Sequence, residues 1–155
     1  DMKFLKLIAH IFLFILLFIW QLPQNIVAIL MLPFIGEVDF ISYKKFCFAF
    51  TAENMKGSIS LGNFAFLSKT KAKKIANIKH EQEGHTVDSK IFGPLYLPVI
   101  GIPNFLHSKS KKNKHYYDFY TERRANKHAG LEVLETTNGR CFLSVKNVLG
   151  YNRKK

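Results

Sequence analysis

The chain has 155 residues, enough for one domain and too few for two independent globular cores. Hydrophobic residues make up 48% and charged residues 22%, a balance that excludes an intrinsically disordered chain. The net charge of +12 calls for an anionic surface or partner, and the two cysteines, Cys47 and Cys141, form no CxxC pair and no disulfide scaffold, reading instead as free thiols of a reducing compartment.

Between Lys6 and Glu37 lie 30 positions without a formal charge. Residues 3–22 are apolar over about 20 positions, the length that crosses a bilayer, and Trp20 suits its interface. The polar stretch Gln21-Leu22-Pro23-Gln24-Asn25 breaks the run, and residues 26–35 resume it as a shorter segment containing Pro33. That second run reads as a tilted return helix or an interfacial segment. No small-x-small site follows Trp20, so a retained anchor is expected rather than a cleaved signal peptide. Asp1 in the first position places the true start upstream or at Met2. Residues 1–36 are therefore expected to be a hydrophobic membrane anchor, with the lipid bilayer as partner.

The remaining residues carry +11 of the net charge, concentrated in runs such as 69–74 and 109–114. Positive residues favour the cytoplasmic side and anionic lipid. Lys3 and Lys6 precede the first apolar run and Lys44 and Lys45 follow the second, so a hairpin with both ends in the cytoplasm is expected. Nucleic-acid binding is the weaker reading: no helix-turn-helix, RNP-like or zinc-finger signature is present, and lysine outnumbers arginine nineteen to four.

Residues 37–50 (EVDFISYKKFCFAF) are aromatic and β-favouring. A polar break at 51–56 precedes a second strand-like run at 57–67, and the two predict a β-hairpin. Ser68 is a helix N-cap for residues 70–92, where Ile75, Ile78, Gln82, His85, Ser89 and Phe92 recur at steps of three or four. Gly93-Pro94 ends that helix. Residues 94–107 hold three prolines and predict an irregular buried connector or a membrane-dipping segment. A basic loop at 108–114 leads to a second helix, 116–129, ended by Gly130. Residues 131–155 predict two short strands about the Asn138-Gly139 turn and a basic tail. The fold class is α+β, with an anchor at 1–36, a body at 37–130 built from a β-hairpin and two site helices, and a C-terminal segment at 131–155.

The chemistry is concentrated in His80-Glu81-Gln82-Glu83-Gly84-His85. In H-E-x-x-H, two imidazoles four apart share a helix face and hold a metal, with the glutamate beside them as general base. Here the histidines are five apart, about 140° around a regular helix. Three readings follow. A π-bulge absorbs the extra residue, eased by Gly84, and restores the facing; or Glu81 and His85 are the paired ligands; or the histidines are surface groups of a degenerate site. On the second helix, Glu122 and Asn126 are again four apart, which fits Glu122 as third zinc ligand in a His₂Glu set and Asn126 as a partner orienting a ligand histidine.

E-x-x-x-[DN] after H-E-x-x-H is similar to the gluzincin pattern of zinc metallopeptidases. Residues 57–130, with the stretch around WQLPQN, also resemble a family of small, uncharacterised bacterial membrane proteins. The resemblance is carried by a strand like GSISLGNFAFLS, an H-E-x-G-H motif, a block like GPLYLPVIGIPN and a helix like FYTERRAN. It implies a zincin-like body with His80, His85 and Glu122 as zinc ligands and Glu81 as general base. The chain departs from the pattern at the extra residue (Gln82 or Glu83), at Val87-Asp88 and at Arg124. The function expected is a membrane-anchored zinc-dependent hydrolase acting on a peptide or protein. In it, Glu83 is the substitute base if the register differs, and the strand at 58–66 lies beside the cleft. The alternative is a membrane pseudo-enzyme or interaction protein that keeps the fold. His10 reads as a helix-packing group, and His107, His115 and His128 as loop or surface residues.

Overall fold

The computed structural model describes residues 2–109, 116–136 and 141–146. The Asn138-Gly139 turn, His115, most of the basic loop at 108–114 and the basic tail from 147 onward lie outside the described residues. The chain is α+β, with two apolar helices first: α1 (Met2–Trp20) and α2 (Leu22–Ile35). Only Gln21 separates them. Pro23 opens α2, where its missing N–H costs nothing, and Pro33 sits inside the helix. Among the described residues α1 alone is long and apolar enough to cross a membrane. The 14 residues of α2 fall short of the about 20 a second crossing needs.

Four strands follow: β1 (Val38–Lys44), β2 (Cys47–Ala52), β3 (Ser58–Leu61) and β4 (Phe64–Ser68), in the sheet order β1-β2-β4-β3. Each of the two predicted strands is itself a hairpin, which corrects the single hairpin expected. Lys45 and Phe46, with φ of 48° and 60°, make the first turn, and Gly62, at φ 62°, opens the second. A turn with positive φ at both central residues twists with its strands, but it normally announces itself through Asn or Gly. Lys-Phe hides it. Strand β4 inserts beside β2 in parallel, leaving β3 as an edge.

The pleat sorts the sheet into two faces. On one, Phe48, Phe50, Phe64 and Phe66 stack across the strands, with centroids 5.9–6.5 Å apart. Against them lie Phe14 and Phe18 of α1 and the buried Ala28 and Ile35 of α2. His10, one turn before Phe14, stacks on Phe46 and meets the Tyr43 hydroxyl at 2.9 Å, so it packs as expected. On the other face, the small Cys47, Ala49 and Ala65, with Leu67, form a buried cluster against which Ala72 and Ile78 of the following helices pack.

The polar break between the apolar runs is what ties them to the body. Gln21, Gln24 and Asn25 are fully buried. Asn25 Nδ2 donates to the Phe18 carbonyl and to Asn63 Oδ1, and its Oδ1 accepts from the Asn63 backbone N–H at 2.8 Å. A β-carbon on Gly62 would collide with that same Asn25 oxygen. Gln24 donates to the Gly93 carbonyl, and Trp20 Nε1–H donates to the Lys90 carbonyl at 2.9 Å. Asn25→Ala strands a buried N–H and a buried amide oxygen, so a loss of about 3 kcal/mol in stability is expected. Thermal unfolding of the full chain in detergent measures it; an unchanged transition would mean the apolar helices are detachable from the body.

After β4, Ser68 caps α3 (Lys69–Ala72), accepting from the Lys71 N–H, and the chain kinks at Lys73-Lys74 into α4 (Ile75–Lys79). A π-helical segment, His80–His85, runs on into α5 (Thr86–Phe92). The proline-rich block is helical but irregular: a 3₁₀ turn at Gly93–Leu95, a π segment at Leu97–Gly101, then α6 (Ile102–Lys109). The second site helix, α7 (Tyr120–Ala129), is shorter than the predicted 116–129, because Tyr116–Asp118 form a separate 3₁₀ turn. Strands β5 (Leu131–Glu135) and β6 (Cys141–Val145) pair antiparallel, and Leu131 and Leu143 pack on Ala76 and Ala129.

Candidate metal centre

The site is built where the π segment crosses α7. A π turn holds one more residue than an α turn, so positions five apart return to one face. His80 and His85 accordingly meet, with ring centroids 4.8 Å apart and planes at 85°. Of the three readings open from the sequence, the first describes this backbone. The anchor for the extra residue is Gln82. Its Nε2 donates to the carbonyls of Ser42 and Cys47, and its Oε1 accepts from the Ser42 hydroxyl, so its amide is satisfied by β1 and β2. The Thr86 hydroxyl donates back to the Gln82 carbonyl at 2.5 Å. Glu83 turns outward to pair with Lys45 at 3.3 Å, away from the two histidines.

Gly84 serves a second purpose that the sequence did not disclose. A β-carbon there would lie 2.6 Å from the Ala125 carbonyl oxygen and 3.0 Å from the Ala125 β-carbon. Its absence lets α7 come close enough for Glu122 to reach both imidazoles. Glu122 Oε2 lies 3.0 Å from His80 Nε2, and Oε1 lies 3.4 Å from His85 Nε2. Asn126, one turn on, accepts from His80 Nδ1 at 2.8 Å, which leaves Nε2 as the atom facing Glu122. His80, His85, Glu81, Glu122 and Asn126 are all buried.

Glu81 is held from the other side, by the edge strand. Ser58 Oγ donates to Glu81 Oε1 at 2.5 Å and Ser60 Oγ to Oε2 at 2.7 Å. Ligand-capable atoms of His80, Glu81 and His85 lie within 4.8 Å of one another, and the group can hold a metal ion. The serines are site residues the sequence reading did not single out; their signal was the S-x-S alternation, which puts two hydroxyls on one face of a strand. Tyr116, read from sequence as a packing residue, donates its hydroxyl to Glu122 Oε1 at 3.1 Å.

The electrostatics follow from burial and proximity. Burial alone would lower the His85 pKa. The hydrogen bond to Glu122 and the charges of Glu81, Glu122 and Asp88 outweigh it and raise the value to about 9. Burial would raise the Glu122 pKa, yet hydrogen bonds and charge from His80 and His85 drive it well below the carboxylate range. Burial, with the fields of Glu122 and Glu81, pushes the Tyr116 phenol far up, so it stays a donor at neutral pH. The bridging Glu122 carboxylate and the proton-holding imidazole mark a place where positive charge is stabilised, and two imidazoles with one carboxylate form a standard donor set for a divalent ion.

Asp88 is fully buried beneath the site, and its Oδ1 accepts from Arg124 Nε and Nη2 at 3.1 and 2.7 Å. His128 Nε2 lies 3.2 Å from the same oxygen. Arg124 and His128 thus compensate Asp88, as a buried carboxylate must be paired. His107 lies in α6, not in a loop, and stacks on Phe119 at 4.0 Å and on Tyr116 at 5.5 Å. No family model, curated protein or solved structure matches the chain.

Proposed function

We propose that this protein is a membrane-anchored, zinc-dependent hydrolase of gluzincin-like, peptidase-like character. One observation carries the reading. The π segment turns His80 and His85 onto a shared face with Glu122 across both Nε2 atoms, while Glu81 stands beside them on separate supports. His80, His85 and Glu122 would hold the ion, leaving a coordination position open. A bound zinc ion supplies Lewis acidity and lowers the pKa of a water in its open position towards neutrality. Glu81, its carboxylate aimed by Ser58 and Ser60, would serve as the general base and pass the proton it takes up to the leaving group. Tyr116, whose hydroxyl donates to Glu122 Oε1, would orient that carboxylate toward the ion. Asn126 keeps His80 in the tautomer that ligates through Nε2.

The apolar surface supports membrane attachment. Most large side chains of α1 and of the outward side of α2 are exposed, among them Phe12, Ile15, Leu30 and Phe34. Such a surface belongs in lipid rather than water. Helix α1 and the outward faces of α2 and α6 lie in the bilayer in this reading. The charge of the body favours the cytoplasmic face, against anionic lipid; with α1 as the one candidate crossing among the described residues, the N-terminus then lies on the opposite side, which replaces the hairpin expected from sequence.

Metal analysis tests the reading. Full-length protein purified in detergent and reconstituted with zinc is expected to hold one ion per chain, and His80→Ala or His85→Ala to hold essentially none. Absence of stoichiometric zinc would overturn it in favour of the pseudo-enzyme.

A further inference from the structure

Two cavities meet at Glu81. The first, about 250 Å³, is walled by Val27, Leu61, Leu97, Ile102 and Phe105. Val27, Ile102 and Phe105 are 36%, 55% and 57% exposed, so its mouth opens onto the apolar surface of α2 and α6. The second, about 370 Å³, opens on the other side of Glu81 and is edged by Lys56, Lys71 and Lys109. Ser58, Glu81, Ser108 and Tyr116 line both. Strand β3 connects them: Gly57 and Ser58 border the basic cavity, and Ser58 to Leu61 border the apolar one. It is an edge strand, and an extended chain laid along such an edge pairs through its backbone. A bond placed at Glu81 therefore has one flank in each cavity.

Resting on the hydrolase reading above, we propose that the substrate is a peptide segment at the membrane surface, large and apolar on one side of the cleaved bond and acidic on the other. The apolar flank enters from the lipid side past Val27 and Phe105. The acidic flank is held by Lys56 and Lys71 on the aqueous side, where charge complementarity selects against basic sequences.

The test uses zinc-loaded full-length protein in detergent and four fluorogenic peptides. Two carry Leu-Phe on one flank and Asp-Glu on the other, in either order; a third replaces Asp-Glu with Lys-Lys, and a fourth replaces Leu-Phe with Ser-Asn. One apolar–acidic order is expected to be cleaved with a KM at least tenfold below those of the third and fourth peptides. Lys56→Glu with Lys71→Glu should raise that KM about tenfold and lower it for the Lys-Lys peptide. Ile102→Asn should weaken only the peptides with Leu-Phe. Fluorescence anisotropy with Glu81→Gln protein reads the same preferences as binding. Cleavage of all four peptides alike would overturn the recognition proposal and leave the hydrolase reading standing. Selective binding without cleavage by the wild type would overturn the hydrolase reading and keep the recognition proposal. Equal binding of all four, or charge reversal without a swap in preference, would overturn the recognition proposal.

Discussion

Glu81→Gln is expected to lower peptide hydrolysis about 10³-fold while zinc content stays at one per chain. The substitution keeps the shape of a buried side chain whose two oxygens each accept a serine hydroxyl, at 2.5 and 2.7 Å. A glutamine can keep one such bond, and the other serine can rotate to accept from the amide. What it cannot do is take a proton. The distinction matters because Glu81 also lies within 4.8 Å of both imidazoles and can itself face a metal ion. Kinetics and metal content measured on the same preparation separate the two roles. Lost activity with zinc retained identifies the base. Lost zinc identifies a ligand, and would move the base role elsewhere. Retained activity removes Glu81 from the chemistry, and Glu83 does not readily replace it, since that side chain points to Lys45 on the far side of the segment.

The second large effect concerns the glycine between the helices. Gly84→Ala is expected to cost about 3 kcal/mol of stability and to abolish zinc binding. The new methyl would sit 2.6 Å from a carbonyl oxygen of α7, a backbone atom that moves only if the helix moves. Separation of the two elements withdraws Glu122 from both histidines, so metal and fold are lost together. Deletion of Glu83 makes the informative contrast. It converts the segment to His-Glu-Gln-Gly-His, and a π-bulge with one residue removed becomes a regular turn with its flanks still in register. The salt bridge it loses, to a half-exposed Lys45, is worth little. Zinc binding within a few-fold of wild type and a near-unchanged melting temperature are expected for the deletion. Loss of zinc on deleting Glu83 would show that the π turn does more than absorb an extra residue, and full occupancy in Gly84→Ala would show that the close approach of α7 is not what brings Glu122 to the histidines.

Much of this was legible in the residues themselves. The uncharged run of 30 positions reads as two apolar segments split by a polar break, and the structure forms α1 and α2 there. The α+β class, the Ser68 cap and the two helices bearing His80, His85, Glu122 and Asn126 follow from local periodicity and capping chemistry. The H-E-x₃-H spacing even limited the backbone to a small set of options. Other features were hidden by their locality. The turn at Lys45-Phe46 carries none of the usual turn residues, so two hairpins read as one. The polar break at Gln21, Gln24 and Asn25 looks in sequence like an exit from lipid, yet its partners, Asn63 and Gly93, lie about 40 and 70 positions away.

Sequence alone thus determined which donors exist, their spacing on each helix and the segregation of apolar from basic residues, all of them properties of neighbours along the chain. Only the tertiary structure decided that the extra residue is absorbed as a π turn, because the partners that satisfy Gln82 belong to Ser42 and Cys47 on two other strands. It decided likewise that Ser58 and Ser60 carry Glu81, and that a missing methyl at Gly84 admits Glu122 between the histidines. Those choices depend on which backbone atoms remain unpaired and how closely two elements can approach, and neither is settled until the elements have packed.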